Sequence, residues 1–144
     1  MKYKVLSVRQ PYANLLVSGE KDVENRSRRT NYRGRVLIHA SAKMHDIIPA
    51  LEKIQKHGIK FSPFHKKIFD AAENCEFSAI IGCVDIVDCV DCNTHTSLSE
   101  WAEGGCFWWI CRNARIFDKP ILGVKGKLGI WEWEGEIPEL EEQL

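Results

Sequence analysis

Apolar and polar positions change period several times along the chain, and each change marks an element. Tyr3, Val5, Leu6 and Val8 form a short apolar run of β character, predicting a strand over Tyr3–Val8. Pro11 has no N–H for a ladder but suits the first turn of a helix. Tyr12, Leu15 and Leu16 then recur at i, i+3 and i+4, predicting a helix over Pro11–Ser18 that Gly19 ends. Val23–Arg26 reads as a short extended piece, Ser27–Gly34 as a polar loop, and Arg35–Ala40 as a strand.

Beyond Ala40 the period becomes helical. Met44, Ile47, Ile48, Leu51 and Ile54 share one helix face, closed by Gly58. Ser62 and Pro63 supply the N-cap and first position of a second helix, with Phe64, Ile68, Phe69 and Ala72 as its apolar side. This two-helix excursion, at about 41–76, is expected to pack on the outside of the strands. Phe77–Val90 is almost continuously apolar and predicts a central strand, in which Gly82 marks a bulge or a close backbone approach. Asp91–Gly105 reads as a connection with one helical turn at Leu98–Ala102, and Cys106–Phe117 as a second long strand rich in aromatics. Ile121–Lys127 is expected to be irregular. Leu128–Glu134 sets Trp131 and Trp133 against Ile130, Glu132 and Glu134 as a half-buried strand, and the acidic tail past Pro138 reads as frayed or as a short exterior helix. The predicted class is α+β, a small sheet or barrel with flanking helices, in one domain over residues 1–144.

Charge alters this picture more than composition does. The net charge is zero, so no overall field draws in nucleic acid. Yet Arg26, Arg28, Arg29, Arg33 and Arg35 follow one another with no acid between them, which reads as a phosphate-facing rim. From Glu132 onward there are glutamates and no base. Six cysteines without the apolar core of a signal peptide point to reduced thiols and a cytoplasmic setting.

Candidate chemistry gathers near the first helix. Lys21 follows the helix stop, Glu24 lies three residues on, and Glu24 and Arg26 share one side of an extended segment. These three make either a structural ion pair or a substrate-gripping, proton-handling group. Ser7 and Arg9 share one face at the end of the first strand. Arg9 is placed to grip a phosphate, and Gln10 either reads a base edge or, like Ser7, caps the helix. His39 reads as a satisfied core histidine. Cys89, Cys92 and His95 have metal-like spacing but lack a local fourth ligand, which only Cys106 or Cys111 would supply. They read as strand thiols, with no metal and no cofactor expected. Among Trp101, Phe107, Trp108, Trp109, Trp131 and Trp133, most belong to the core, and one at a cleft would stack a base.

The runs S-V-R-Q-P-Y at Ser7–Tyr12, G-E-K at Gly19–Lys21, E-N-R at Glu24–Arg26 and R-G-R-V-L-I-H-A at Arg33–Ala40 resemble the ASCH domain. So do G-C-V-D-I-V-D-C at Gly82–Cys89, W-W-I-C-R-N-A-R-I-F at Trp108–Phe117 and V-K-G-K-L-G-I-W at Val124–Trp131. The resemblance implies a small PUA-like β-barrel with the first helix and the G-x-K segment flanking a cleft. It also implies association with RNA, or with nucleotides bearing modified bases. Joined to the residue reading, it gives a binding set of Ser7, Arg9, Gln10, Lys21, Glu24, Arg26, Arg28 and Arg29, and no membrane. Some compact ASCH proteins are amidohydrolases acting on N4-acetylcytidine through a lysine, a threonine and a glutamate. Lys21 matches that lysine, but Glu24 stands where the threonine belongs, and Asp85 and Asp88 are the nearest acids for the glutamate. An enzyme built here would use Lys21 and Glu24 with direct attack by water. A protein-interaction adaptor is the third class, with the acidic C-terminus as its one obvious feature.

Overall fold

The computed structural model describes residues 1–141. Its strands are β1 (Lys2–Gln10), β2 (Val23–Arg26), β3 (Gly34–Met44), β4 (Ala79–Asp91), β5 (Phe107–Ile121) and β6 (Ile130–Glu134). They hydrogen-bond as one six-stranded sheet in the order β2-β5-β4-β3-β1-β6. Among the described residues only the β1·β3 ladder is parallel. The sheet curls strongly. Arg26 on β2 donates from Nη2 to the Ser7 carbonyl on β1 at 2.7 Å, although β5, β4 and β3 lie between those strands in the ladder order. This is the barrel-like, mixed α+β architecture that the pattern of elements implied.

Three apolar clusters hold it. Leu6, Val8, Val36, Ile38, Val84, Ile86 and Trp109 pack with Ala13, Leu16 and Val17 of the short helix α1 (Tyr12–Val17). The opposite face joins Val5, Leu37, Ile80, Phe117 and Trp131 to Ile137 and to Leu140 of the last helix (Pro138–Glu141). The helical excursion forms α2 (Ile47–Lys56) and α3 (Pro63–Asp70), making that last helix α4. Ile48, Leu51 and Ile68 pack there on Leu15, Val23, Trp101 and Trp108, outside the strands. Each such side chain contributes about 1.5–3 kcal/mol when fully buried, against the conformational entropy that ordering costs.

The caps follow sequence chemistry. Ser62 Oγ accepts from the His65 N–H at 3.2 Å, and Pro63 opens α3. Gly19, at φ +83°, ends α1 in the left-handed region that favours glycine.

Two segments differ from expectation. β3 continues through Ser41–Met44, because Gln10 pairs with Met44 in the β1·β3 ladder; α2 therefore begins only at Ile47. Leu98–Ala102 is a turn without a helix, since Ser99 Oγ bonds Asp22 and accepts the Trp101 N–H, competing with helical bonding. At the acidic end the second of the two expected alternatives, a short helix, is the one formed: α4 covers Pro138–Glu141 with Leu140 buried, while Glu142 lies outside the described residues.

Candidate functional site

The turn after α1 delivers Lys21. The Gly19 N–H bonds the Leu16 carbonyl at 3.1 Å, and the Lys21 N–H bonds the Leu15 carbonyl at 2.9 Å. The Lys21 side chain is thereby buried at 4% exposure, with its ammonium 5.4 Å from the centre of the Tyr12 ring. It donates to the Val23 carbonyl and, at 3.1 Å, to Glu24 Oε1. Arg26 Nε donates to Glu24 Oε2 at 2.9 Å, and the same guanidinium lies 5.8 Å from the Trp109 ring centre. Burial pushes the Glu24 carboxyl up, but Lys21 and Arg26 outweigh it and hold the group below its ordinary value. Glu24 is thus a carboxylate with both oxygens engaged.

A second chain runs beneath the same opening. Ser7 and His39 are register partners in β1·β3, which brings Ser7 Oγ within 3.0 Å of His39 Nδ1. One tautomer satisfies the set. Trp131 Nε1–H donates to Ser7 Oγ at 3.0 Å, the Ser7 hydroxyl donates to Nδ1, and His39 Nε2–H donates to the Val124 carbonyl at 2.6 Å. His39 is the satisfied core histidine its strand position implied, and it ties the segment around Val124 to the floor of the site.

Together these groups open into a cleft of about 690 Å³. Ser7, Arg9, Lys21, Glu24 and Arg26 line it, and so do residues to which the sequence reading gave no binding role: Tyr12, Asn25, His45, Glu103, Lys125 and Lys127. Tyr12 and His45 stand edge to face with ring centres 5.0 Å apart. Burial first, then Glu103 and Glu24, raise the Tyr12 phenol, so its hydroxyl stays a hydrogen-bond donor. Asn25 fixes the Glu103 segment, donating to the Trp101 carbonyl at 2.8 Å and accepting the Glu103 N–H at 3.0 Å.

Other candidates stand elsewhere. Gln10 is fully buried. Its Oε1 accepts the Asn14 N–H at 3.0 Å, and its Nε2 donates to Asn14 Oδ1 and the Glu76 carbonyl. That is a helix cap, with nothing left over for a base edge. Arg28 and Arg29 are not part of the cleft lining; the Arg29 guanidinium lies 5.1 Å from the Phe107 ring centre. Arg33 turns to its own loop carbonyls and to Asp88. The sulfur of Cys89 accepts the Thr30 N–H, and that of Cys92 accepts from Gly105 and Cys106. Burial raises the Cys106 thiol and pushes Cys111 up to about 12. Among the described residues no three His, Cys, Asp or Glu side chains are grouped to hold a metal, and no helix is long and apolar enough to cross a membrane.

Comparison with known proteins places these features in context. The family model for the ASCH domain matches residues 6–121. Activating signal cointegrator 1 of Homo sapiens is 31% identical over 138 residues, covering 92% of this chain and 22% of that protein. Its Mus musculus counterpart is 30% identical over the same length. The chain thus spans about a fifth of these relatives. Among solved structures, a mutant ASCH protein from Zymomonas mobilis superposes with a TM-score of 0.45 at 21% identity, covering 83% of this chain and 74% of that one.

Proposed function

The chain belongs to the ASCH domain family, and from that premise we propose that its cleft binds single-stranded RNA or a nucleotide drawn from it. PUA-like domains of this kind are associated with RNA. The observation that carries the reading is the lining. Arg9, Lys21, Arg26, Lys125 and Lys127 face Glu24 and Glu103, a cationic excess around an opening of nucleotide size. The Tyr12–His45 pair adds an aromatic side for a base to stack on.

The amidohydrolase reading fits less well. Glu24 as a general base needs a free lone pair turned toward water and affinity for its proton. Here Lys21 and Arg26 occupy both oxygens and lower that affinity. The cointegrator relatives are far longer, so an adaptor role draws on segments outside this match.

Titration of a labelled single-stranded RNA octamer tests the proposal. Tyr12→Ala should weaken binding roughly 5- to 100-fold, the worth of one base–aromatic stack. Wild type should release no acetate from N4-acetylcytidine. Acetate release that Lys21→Ala abolishes would overturn the reading in favour of the hydrolase.

A further inference from the structure

Resting on that reading, we infer that the Lys125–Gly126–Lys127 segment, together with Arg9, is the phosphate-binding element of the cleft, and that its ligand is a phosphate-bearing nucleotide rather than a bare nucleoside. The cations of the lining are not equivalent. Lys21 and Arg26 are spent on Glu24, and Arg26 also on the Ser7 carbonyl. Among the described residues Arg9, Lys125 and Lys127 have no carboxylate partner, whereas Lys4, Lys66 and Lys67 each do. The free positive charge of the cleft therefore sits on these three.

The segment is also built to stay in place. The Val124 N–H bonds the Ser78 carbonyl at 2.8 Å, and His39 holds the Val124 carbonyl from the other side. Gly126 presses on the floor so closely that a Cβ would stand 2.7 Å from His39 Cε1 and 2.8 Å from Ser7 Oγ. The backbone N–H groups of Lys125, Gly126 and Lys127 have no acceptor among the described residues. Consecutive free N–H groups between two exposed ammonium side chains suit the oxygens of a phosphate. A bare nucleoside offers them only neutral acceptors and no anionic oxygens. The arginine-rich loop, by contrast, lies outside the lining at Arg28 and Arg29.

The test compares the four common ribonucleosides with their 5′-monophosphates by calorimetry, and follows the RNA octamer across a salt series. Wild type should prefer monophosphates by about tenfold or more, the worth of one hydrogen bond to a charged group. Lys125→Gln/Lys127→Gln should erase most of that preference and reduce the octamer's salt slope by about 1.4, at roughly 0.7 per phosphate on a single strand. Arg28→Gln/Arg29→Gln should leave the preference intact. Gly126→Ala keeps both lysines and should still weaken monophosphate binding, with thermal unfolding reporting whether the fold survives. A preference that persists without the two lysines, or that disappears with the two arginines, overturns the inference alone, as does equal binding of nucleosides and monophosphates. If wild type binds neither these ligands nor the octamer, the inference falls together with the reading beneath it.

Discussion

Glu24→Gln should destabilise the protein by about 3–5 kcal/mol, the usual cost of leaving a buried charge without its partner. Folded domains are typically stable by only about 5–15 kcal/mol, so this is a large share. The substitution keeps the shape and removes the charge. Lys21, almost fully buried, is then left with the Val23 carbonyl and a neutral amide oxygen, and Arg26 loses its carboxylate. Lys21→Met should cost less, because Glu24 retains Arg26 and the thioether fills similar space. Urea unfolding at neutral pH measures both; a loss below about 1 kcal/mol for Glu24→Gln would mean that the group behaves as a solvated surface pair.

The same pair of proteins gives a pH signature. The folded-state value of Glu24 is depressed, so its contribution is fully present above the unfolded value, about 4.3. It is lost as pH falls from there through the lower folded value. The stability gap between wild type and Glu24→Gln should therefore be constant near neutrality and narrow on acidification below about pH 4. A gap that widens on acidification would contradict the depressed value.

What could be read in advance was what neighbours in sequence decide. Lys21, Glu24 and Arg26 meet because a turn and an extended segment place three-apart and two-apart side chains on one side, and both are local facts. Gly19 as a helix stop and Ser62–Pro63 as a helix start are equally local. The rest of the site depends on pairing between distant strands. Ser7 and His39 touch through a parallel register, Trp131 reaches them from β6, and Lys125 and Lys127 arrive because His39 captures the Val124 carbonyl. The run Val124–Trp131 carries part of the family resemblance, but nothing in its own pattern announces that contact. The arginine run divides for the complementary reason: Arg26 lines the cleft while Arg28 and Arg29 do not, because spacing records a concentration of charge, not the direction in which a loop turns it. Gln10 had a base edge and a helix cap open to it, and an adjacent helix with free N–H groups claims its carboxamide first.

Gly82→Ala should cost at least about 3 kcal/mol, at the upper end of what overpacking a core costs. Gly82 lies on β4 where the sheet meets α1, at a register irregularity between Ile80 and Gly82 in the β4·β5 ladder. A Cβ there would stand 2.2 Å from the Arg115 carbonyl oxygen and 2.8 Å from Val17 Cγ1. The first contact is with backbone, which has no rotamer to change, so either the β4·β5 ladder opens or α1 moves outward. Both routes reach the cleft. α1 carries Tyr12, and its last turn holds the Lys21 N–H through the Leu15 carbonyl. A methyl group on a residue outside the cleft lining should thus weaken octamer binding as well as lower the unfolding midpoint. Gly126→Ala should act in the opposite proportion, with a smaller stability loss than Gly82→Ala and a clear loss of phosphate binding, because its clashes are with the His39 and Ser7 side chains and not with backbone. Paired measurements of midpoint and affinity on the two variants separate them. Equal stability losses, or a Gly82→Ala protein that binds as wild type does, would show that α1 is not held against the sheet at Gly82.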